Sequence, residues 1–111
     1  MRHRARAQAR IAQLRKALTR LDYISAGTLL RRTKVCGKPG CRCAVDPAAR
    51  HGPYYEWGRL EHGRLVHTQL TPHEGERLAR AIHNYRTLQR LLARWMRESV
   101  RAILAESYTQ S

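Results

Sequence analysis

Acidic side chains are scarce in this chain: eight Asp and Glu stand against 22 Lys and Arg, giving a formal charge of +14 and a pI near 11.2. None of the eight is paired beside a histidine in a cleft-like motif. No Gly-rich phosphate loop and no serine nucleophile elbow occurs either, so the expectation is that the protein is not an enzyme. No apolar run approaches the ~18 residues that span a bilayer. The N-terminus also lacks the apolar stretch of a signal peptide, which makes cytoplasmic residence without a membrane partner the expectation. Cysteine is limited to three residues, and an odd number excludes a complete set of intramolecular disulfides. A chain of 111 residues forms one domain with a modest core, in which a metal staple would be useful.

The three cysteines stand together as Cys36-Gly-Lys-Pro-Gly-Cys41-Arg-Cys43, followed by His51-Gly52-Pro53. Four residues separate the first two cysteines, one the next two, and seven separate Cys43 from the histidine, in backbone rich in Gly and Pro. Three thiolates and one imidazole are a donor set for a closed, structural Zn²⁺ site, and Lys34, Lys38 and Arg42 favour deprotonated thiols nearby. A regular strand would send Cys41 and Cys43 rigidly to one face, so a looser conformation is expected there. Redox-active thiols and inert buried cysteines are the competing readings. His62 and His67 are alternative fourth ligands, although a lone surface histidine is more often a bystander.

Around this loop the residue pattern predicts an α+β fold. Residues 1–24 form an Arg-rich amphipathic helix, with Ala7, Ile11, Leu14, Leu18 and Leu21 at spacings of three and four, and with Arg6, Arg10 and Arg20 off that stripe. Residues 25–71 form a zinc-stapled, three-stranded antiparallel sheet. Thr28 to Val35 is its first strand, with Arg31, Arg32 and Lys34 marking an exposed face or edge. The runs from Pro53 to Leu60 and from Arg64 to Leu70 are joined at His62-Gly63 as a hairpin. That register puts Tyr55, Trp57, Val66 and Leu70 on one face, against a helix, and Tyr54, Glu56, His67 and Gln69 on the other. Thr71-Pro72-His73-Glu74 reads as a helix start with a capping box. The helix then covers residues 72–107, ahead of a tail at 108–111. Its stripe includes Leu78, Ile82, Tyr85, Leu88, Leu92, Trp95 and Ile103, widened by Leu91, Met96, Val100 and Leu104, with Arg90, Arg94, Arg97 and Arg101 opposite. At ~1.5 Å per residue it reaches ~50 Å, more than the sheet can cover. The N-terminal helix, packing antiparallel through Ile11, Leu14 and Leu18 against Leu88, Leu92 and Trp95, is the simplest cover. A second copy, giving a homodimer through a coiled-coil-like contact, is the next.

The string from Lys34 to Ala44, then His51-Gly52-Pro53-Tyr54-Tyr55, then a basic hairpin and a long helix carrying Asn84-Tyr85-Arg86, resembles a prokaryotic family of unknown function. The likeness runs from about Gly27 to Trp95. It implies a small zinc-binding protein encoded near transposase or other mobile-element genes, and it brings no catalytic residues; the longer Arg-rich N-terminus departs from it. The same region is more loosely similar to the N-terminal arm-binding domains of phage tyrosine recombinases, which lay a three-stranded sheet into a DNA groove. That likeness implies that Tyr54, Arg59, Arg64 and His67 lie on or beside a reading surface.

The first expected function is therefore a zinc-stapled nucleic-acid-binding module, with DNA favoured over RNA by analogy alone. Arg31, Arg32, Lys34, Lys38, Arg42 and Arg50 would contact phosphates. Tyr54, Tyr55 and Trp57 would stack on unpaired bases or, as readily, fill the core. The alternative is an assembly subunit whose long helix binds a larger recombinase, transposase or nuclease, or its own copy.

Overall fold

A computed structural model describes residues 2–110, with side chains as far as 107. Its elements are helix α1 (Arg2–Leu18), strand β1 (Thr28–Lys34), strands β2 (His51–Glu61) and β3 (Arg64–Leu70), and helix α2 (Pro72–Gln110). Two short 3₁₀ turns, Arg42–Ala44 and Pro47–Ala49, lie between β1 and β2. The chain divides into two compact units. Ser25–Ile82 makes one, and the residues up to Ile24 with those from His83 onward make the other. The division falls inside α2, whose first turns pack on the sheet.

In the sheet unit the three strands are antiparallel in the order β1-β2-β3. His62 and Gly63 make the tight turn between β2 and β3 with φ of 52° and 79°, the paired left-handed conformation that matches strand twist. Pairing of Tyr55 with Leu70, Trp57 with Thr68 and Arg59 with Val66 gives the expected apolar face. Tyr54, Glu56, His67 and Gln69 take the other face, and on β3 the exposed residues alternate with the half-buried ones. The apolar face meets α2 at Gly75, where a Cβ would enter the van der Waals envelope of the Tyr55 ring. The start of α2 is a capping box. The Glu74 amide donates to Thr71 Oγ1 at 3.2 Å, and the Thr71 amide donates to Glu74 Oε1 at 2.9 Å. The hydrogen bond from the Thr71 backbone amide, followed by one from the Thr71 side chain, holds the Glu74 carboxyl below its ordinary range.

In the helical unit α1 runs antiparallel to α2. Arg4 pairs with Glu106 at 3.2 Å and Arg10 with Glu98 at 3.4 Å, so positions early in one helix meet positions late in the other. The exposed Arg4–Glu106 pair is worth under ~1 kcal/mol and fixes register more than stability, whereas Glu98 of the second pair is buried. Asn84 is buried and donates to Asp22 Oδ1 at 2.7 Å and to the Tyr23 carbonyl at 2.9 Å, tying the segment after α1 to α2. The expected stripe needs one correction. In the C-terminal part of α2 the covered positions include Leu88, Leu91, Trp95, Glu98 and Ala102, whereas Leu92, Met96, Val100, Ile103 and Leu104 are open to solvent. Adjacent residues on a helix are ~100° apart, and the seam runs along the Leu91 edge of the broad apolar band. Glu98 sits in that seam because Arg10 and Arg101 both reach its carboxylate. The buried apolar side chains of this unit are few and mostly small, Ala7, Leu14 and Ala102 among the described residues, so its core is thin.

Candidate metal centre and basic surface

The loop after β1 turns back on itself through Gly37 and Gly40, both at positive φ, and a backbone hydrogen bond from Cys41 N to Lys38 O closes the turn. Cys41, Arg42 and Cys43 then enter a 3₁₀ turn instead of a strand, which brings Cys43 inward to a buried position. Asp46 steadies the second 3₁₀ turn. Its carboxylate accepts from the Ala48 amide at 3.0 Å and pairs with Arg42 at 3.2 Å. On the far side, Lys34 opposes His51 while Arg32 opposes Tyr54, so β2 holds one residue more than β1 in that interval. The extra residue lies at Gly52-Pro53, where proline has no N–H for the ladder, and it shifts the alternation of side chains just before His51.

The outcome is a four-donor cluster. The Sγ atoms of Cys36, Cys41 and Cys43 and a ring nitrogen of His51 all lie within 4.8 Å of one another. Cys36 Sγ is 3.5 Å from Cys43 Sγ, and Cys41 Sγ is 3.4 Å from His51 Nε2. A tetrahedral ion with metal–sulfur bonds of about 2.3 Å places its ligand atoms roughly 3.5–3.8 Å apart, so the cluster is close enough to hold a metal ion. All three thiols are free. Hydrogen bonding from the Cys43 backbone, then from the Cys43 and Cys36 side chains, lowers the Cys41 pKa. Cys43 goes the other way: the Cys36 amide, 3.4 Å from its sulfur, favours the thiolate, but burial and the two neighbouring thiols outweigh it. A cation shared by the sulfurs would favour their thiolate forms. His62, in the hairpin turn, and His67, held by Glu56, lie outside the cluster.

The basic residues are distributed unevenly. Lys38 and Arg50 project from the metal loop, exposed and with no ion-pair partner among the described residues, and Arg42 is exposed but tied to Asp46. On the outer sheet face Arg32, Lys34, Tyr54, Glu56, His67 and Gln69 border a concavity of about 300 Å³. Lys34 Nζ lies 5.1 Å from the Tyr54 ring centroid and donates to Gln69 Oε1 at 3.1 Å. Glu56 receives Arg32 on one carboxylate oxygen and His67 Nδ1 on the other, at 3.2 and 3.1 Å. Strand alternation places Glu56 on this face, but nothing in its sequence position marks it as the residue that organises both Arg32 and His67. Arg31 and Arg59 point to the opposite face by register. Arg59 is only 17% exposed. Its guanidinium stacks 4.0 Å from the Trp57 ring centroid, donates to Thr68 Oγ1 and pairs with Glu61 at 3.2 Å. Arg64 stands exposed at the head of β3 beside the turn. Tyr55 and Trp57 are packed, Tyr55 on Gly75 and Trp57 through a 2.9 Å hydrogen bond from Nε1 to the Ala26 carbonyl.

Fold and cluster together define a small α+β protein with an open three-stranded sheet, two helices and a Cys₃His group. The chain belongs to the family described as a domain of unknown function, DUF6788, whose model matches residues 4–80 and so spans the N-terminal helix, the cysteine loop, the sheet and the start of α2. No curated protein and no solved structure matches the chain. Among the described residues no helix is long and apolar enough to cross a membrane.

Proposed function

We propose that the protein is a zinc-stabilised module that binds nucleic acid, duplex DNA in the first instance, through the basic surface around the metal loop and the outer sheet face. Three thiolates and an imidazole suit Zn²⁺ in a closed site, and a modest core gives such a staple energetic weight. With all four positions filled by protein, the metal holds structure and does not open a coordination site for a substrate. Reduced thiols are maintained in the cytoplasm, where a metal site of this type is stable.

The observation that carries the proposal is the fate of the acidic residues. Asp46, Glu56, Glu61, Glu74, Glu98 and Glu106 each already have a basic or backbone partner. The large cationic excess is therefore left facing solvent, and Lys38, Arg50 and Arg64 are among the side chains that carry it. Lys38 and Arg50 stand on backbone that a bound metal would immobilise, so little side-chain and loop ordering is left for the binding step. Arg32, Lys34 and Tyr54 supply a second set of contacts, with Tyr54 offering a ring face beside a cation. In a mobile-element setting the module would deliver a recombinase, transposase or nuclease to DNA.

The test is a double variant compared with wild type in a fluorescence-anisotropy titration with duplex DNA. Lys38→Ala/Arg64→Ala should weaken binding for all sequences alike and flatten the log K against log salt slope by roughly 0.9 for each phosphate no longer engaged. Unchanged slope and affinity would remove this surface from consideration.

A further inference from the structure

Beyond the seam with α1, the C-terminal half of α2 carries a second apolar row that no other described residue covers. Leu92, Met96, Val100 and Ile103 recur every three or four residues, and they are 42%, 67%, 54% and 59% exposed. Their spacing makes one continuous stripe about three turns long, roughly 16 Å at ~1.5 Å per residue. Shallow hollows open on both sides of it, one between Met96, Val100, Arg97 and Arg101, the other between Leu92, Trp95, Met96 and Ser99. Single exposed apolar residues need no explanation, but a row of large ones on a rigid helix marks an interaction surface.

Charge identifies the occupant. At ~100° per residue, Arg90, Arg94, Arg97 and Arg101 form a rail beyond the edge of the stripe that faces away from α1. Glu98 lies on the α1 side, engaged by Arg10 and Arg101, so among the described residues no carboxylate of α2 balances Arg94 or Arg97 along that edge. A second copy laid antiparallel on the stripe would bring the same arginine rail against this one, and each copy carries a formal +14. A helix with apolar residues at the same spacing and Glu or Asp on its flank satisfies both features at once. We propose that this face docks an acidic amphipathic helix of a different protein, about three to four turns long. The proposal uses a surface separate from the metal loop and does not depend on nucleic-acid binding.

The experiment uses the full chain and a fluorescein-labelled helical peptide of about 18 residues with Leu every three to four positions and Glu on the flanks. Two controls accompany it: a scrambled peptide of the same composition without the stripe, and a Lys-for-Glu version. The stripe peptide should bind at physiological salt, the scrambled and Lys versions about tenfold or more weaker. Met96→Ser/Val100→Ser, altering two exposed side chains, should weaken binding at least about tenfold. Arg94→Glu/Arg97→Glu should exchange the preference towards the Lys peptide, while Lys38→Ala/Arg64→Ala should change nothing. Equal binding of stripe and scrambled peptides would show only attraction to a basic protein and overturn the proposal. So would a stable dimer of the chain, by light scattering, that Met96→Ser/Val100→Ser converts to monomer.

Discussion

Replacing Gly75 by Ala sets two opposed effects against each other. In an exposed helix interior the change stabilises by about 0.5–1 kcal/mol, because alanine loses less backbone entropy than glycine. Here the residue is buried, and its Cβ would fall within the Tyr55 ring atoms Cγ and Cδ2 and against Tyr55 Cβ. Turning the ring would not relieve the contact with Tyr55 Cβ, because the strand that carries it is paired on both sides, to Arg31 and to Leu70. Forcing a methyl into such a contact costs about 1–3 kcal/mol. The net expectation is a loss of roughly 1–2 kcal/mol, read as a lower urea midpoint with the slope unchanged for the metal-loaded full chain. The loss should shrink once the ring is removed: in a Tyr55→Ala background, Gly75→Ala should cost less than in wild type, since only the contact with the Cβ of residue 55, set against the entropy gain, remains. A wild-type background in which Gly75→Ala raises the midpoint would refute the claim that this helix start is seated on the sheet through that contact.

The metal, the helix cap and the buried ion pair each carry an expected outcome of their own. Protein purified without added metal should contain one zinc per chain by elemental analysis, and chelation or Cys43→Ser should lower the melting temperature by roughly 10 °C or more; full folding without metal would contradict this. Thr71→Ala should cost about 1 kcal/mol by removing the helix cap. Because the Glu74 pKa is depressed from its ordinary value of 4.5, the contribution of the capping box is full above that value and is lost as pH falls through the lower folded value. A Glu74→Gln chain should show less of that acid-side loss in a stability-against-pH series. Glu98→Leu should leave stability unchanged or raise it, since a packed apolar side chain matches a buried ion pair and Arg10 and Arg101 can turn to water; a large loss by thermal melting would show that the pairs contribute net stability.

The parts of the fold legible in the sequence were those set by local chemistry. Period-two alternation over Tyr54–Trp57 and Val66–Leu70, with His62-Gly63 between, specified both hairpin and faces, because a one-residue slip would have exposed the whole apolar set. Thr71, Pro72 and Glu74 specified the start of α2 through bonds spanning three residues. The cysteine spacing likewise identified a cluster that closes over a short loop. The features that stayed hidden depend on contacts between distant segments. The band from Leu88 to Leu104 is wide enough for two seams, and a charged residue at the centre of one, Glu98, pointed away from the seam that forms. Only Arg10, on another helix, makes that choice intelligible. The pairing of Arg32 and His67 through Glu56 is equally non-local, as is the sequestration of Arg59 on Trp57. These contacts decide which basic side chains remain unpaired, which is why a charge count alone could not locate a surface for the polyanion it led one to expect.

The most direct measurement is a salt titration of duplex-DNA binding by the zinc-loaded and the chelated chain, side by side. With zinc, log affinity should fall linearly with log salt at a slope of several times roughly −0.9, and the chelated chain should bind more weakly with a shallower slope because Lys38 and Arg50 lose their fixed loop. No binding by the zinc-loaded chain at ~50 mM salt, or identical curves with and without metal, would contradict a metal-held surface for nucleic acid.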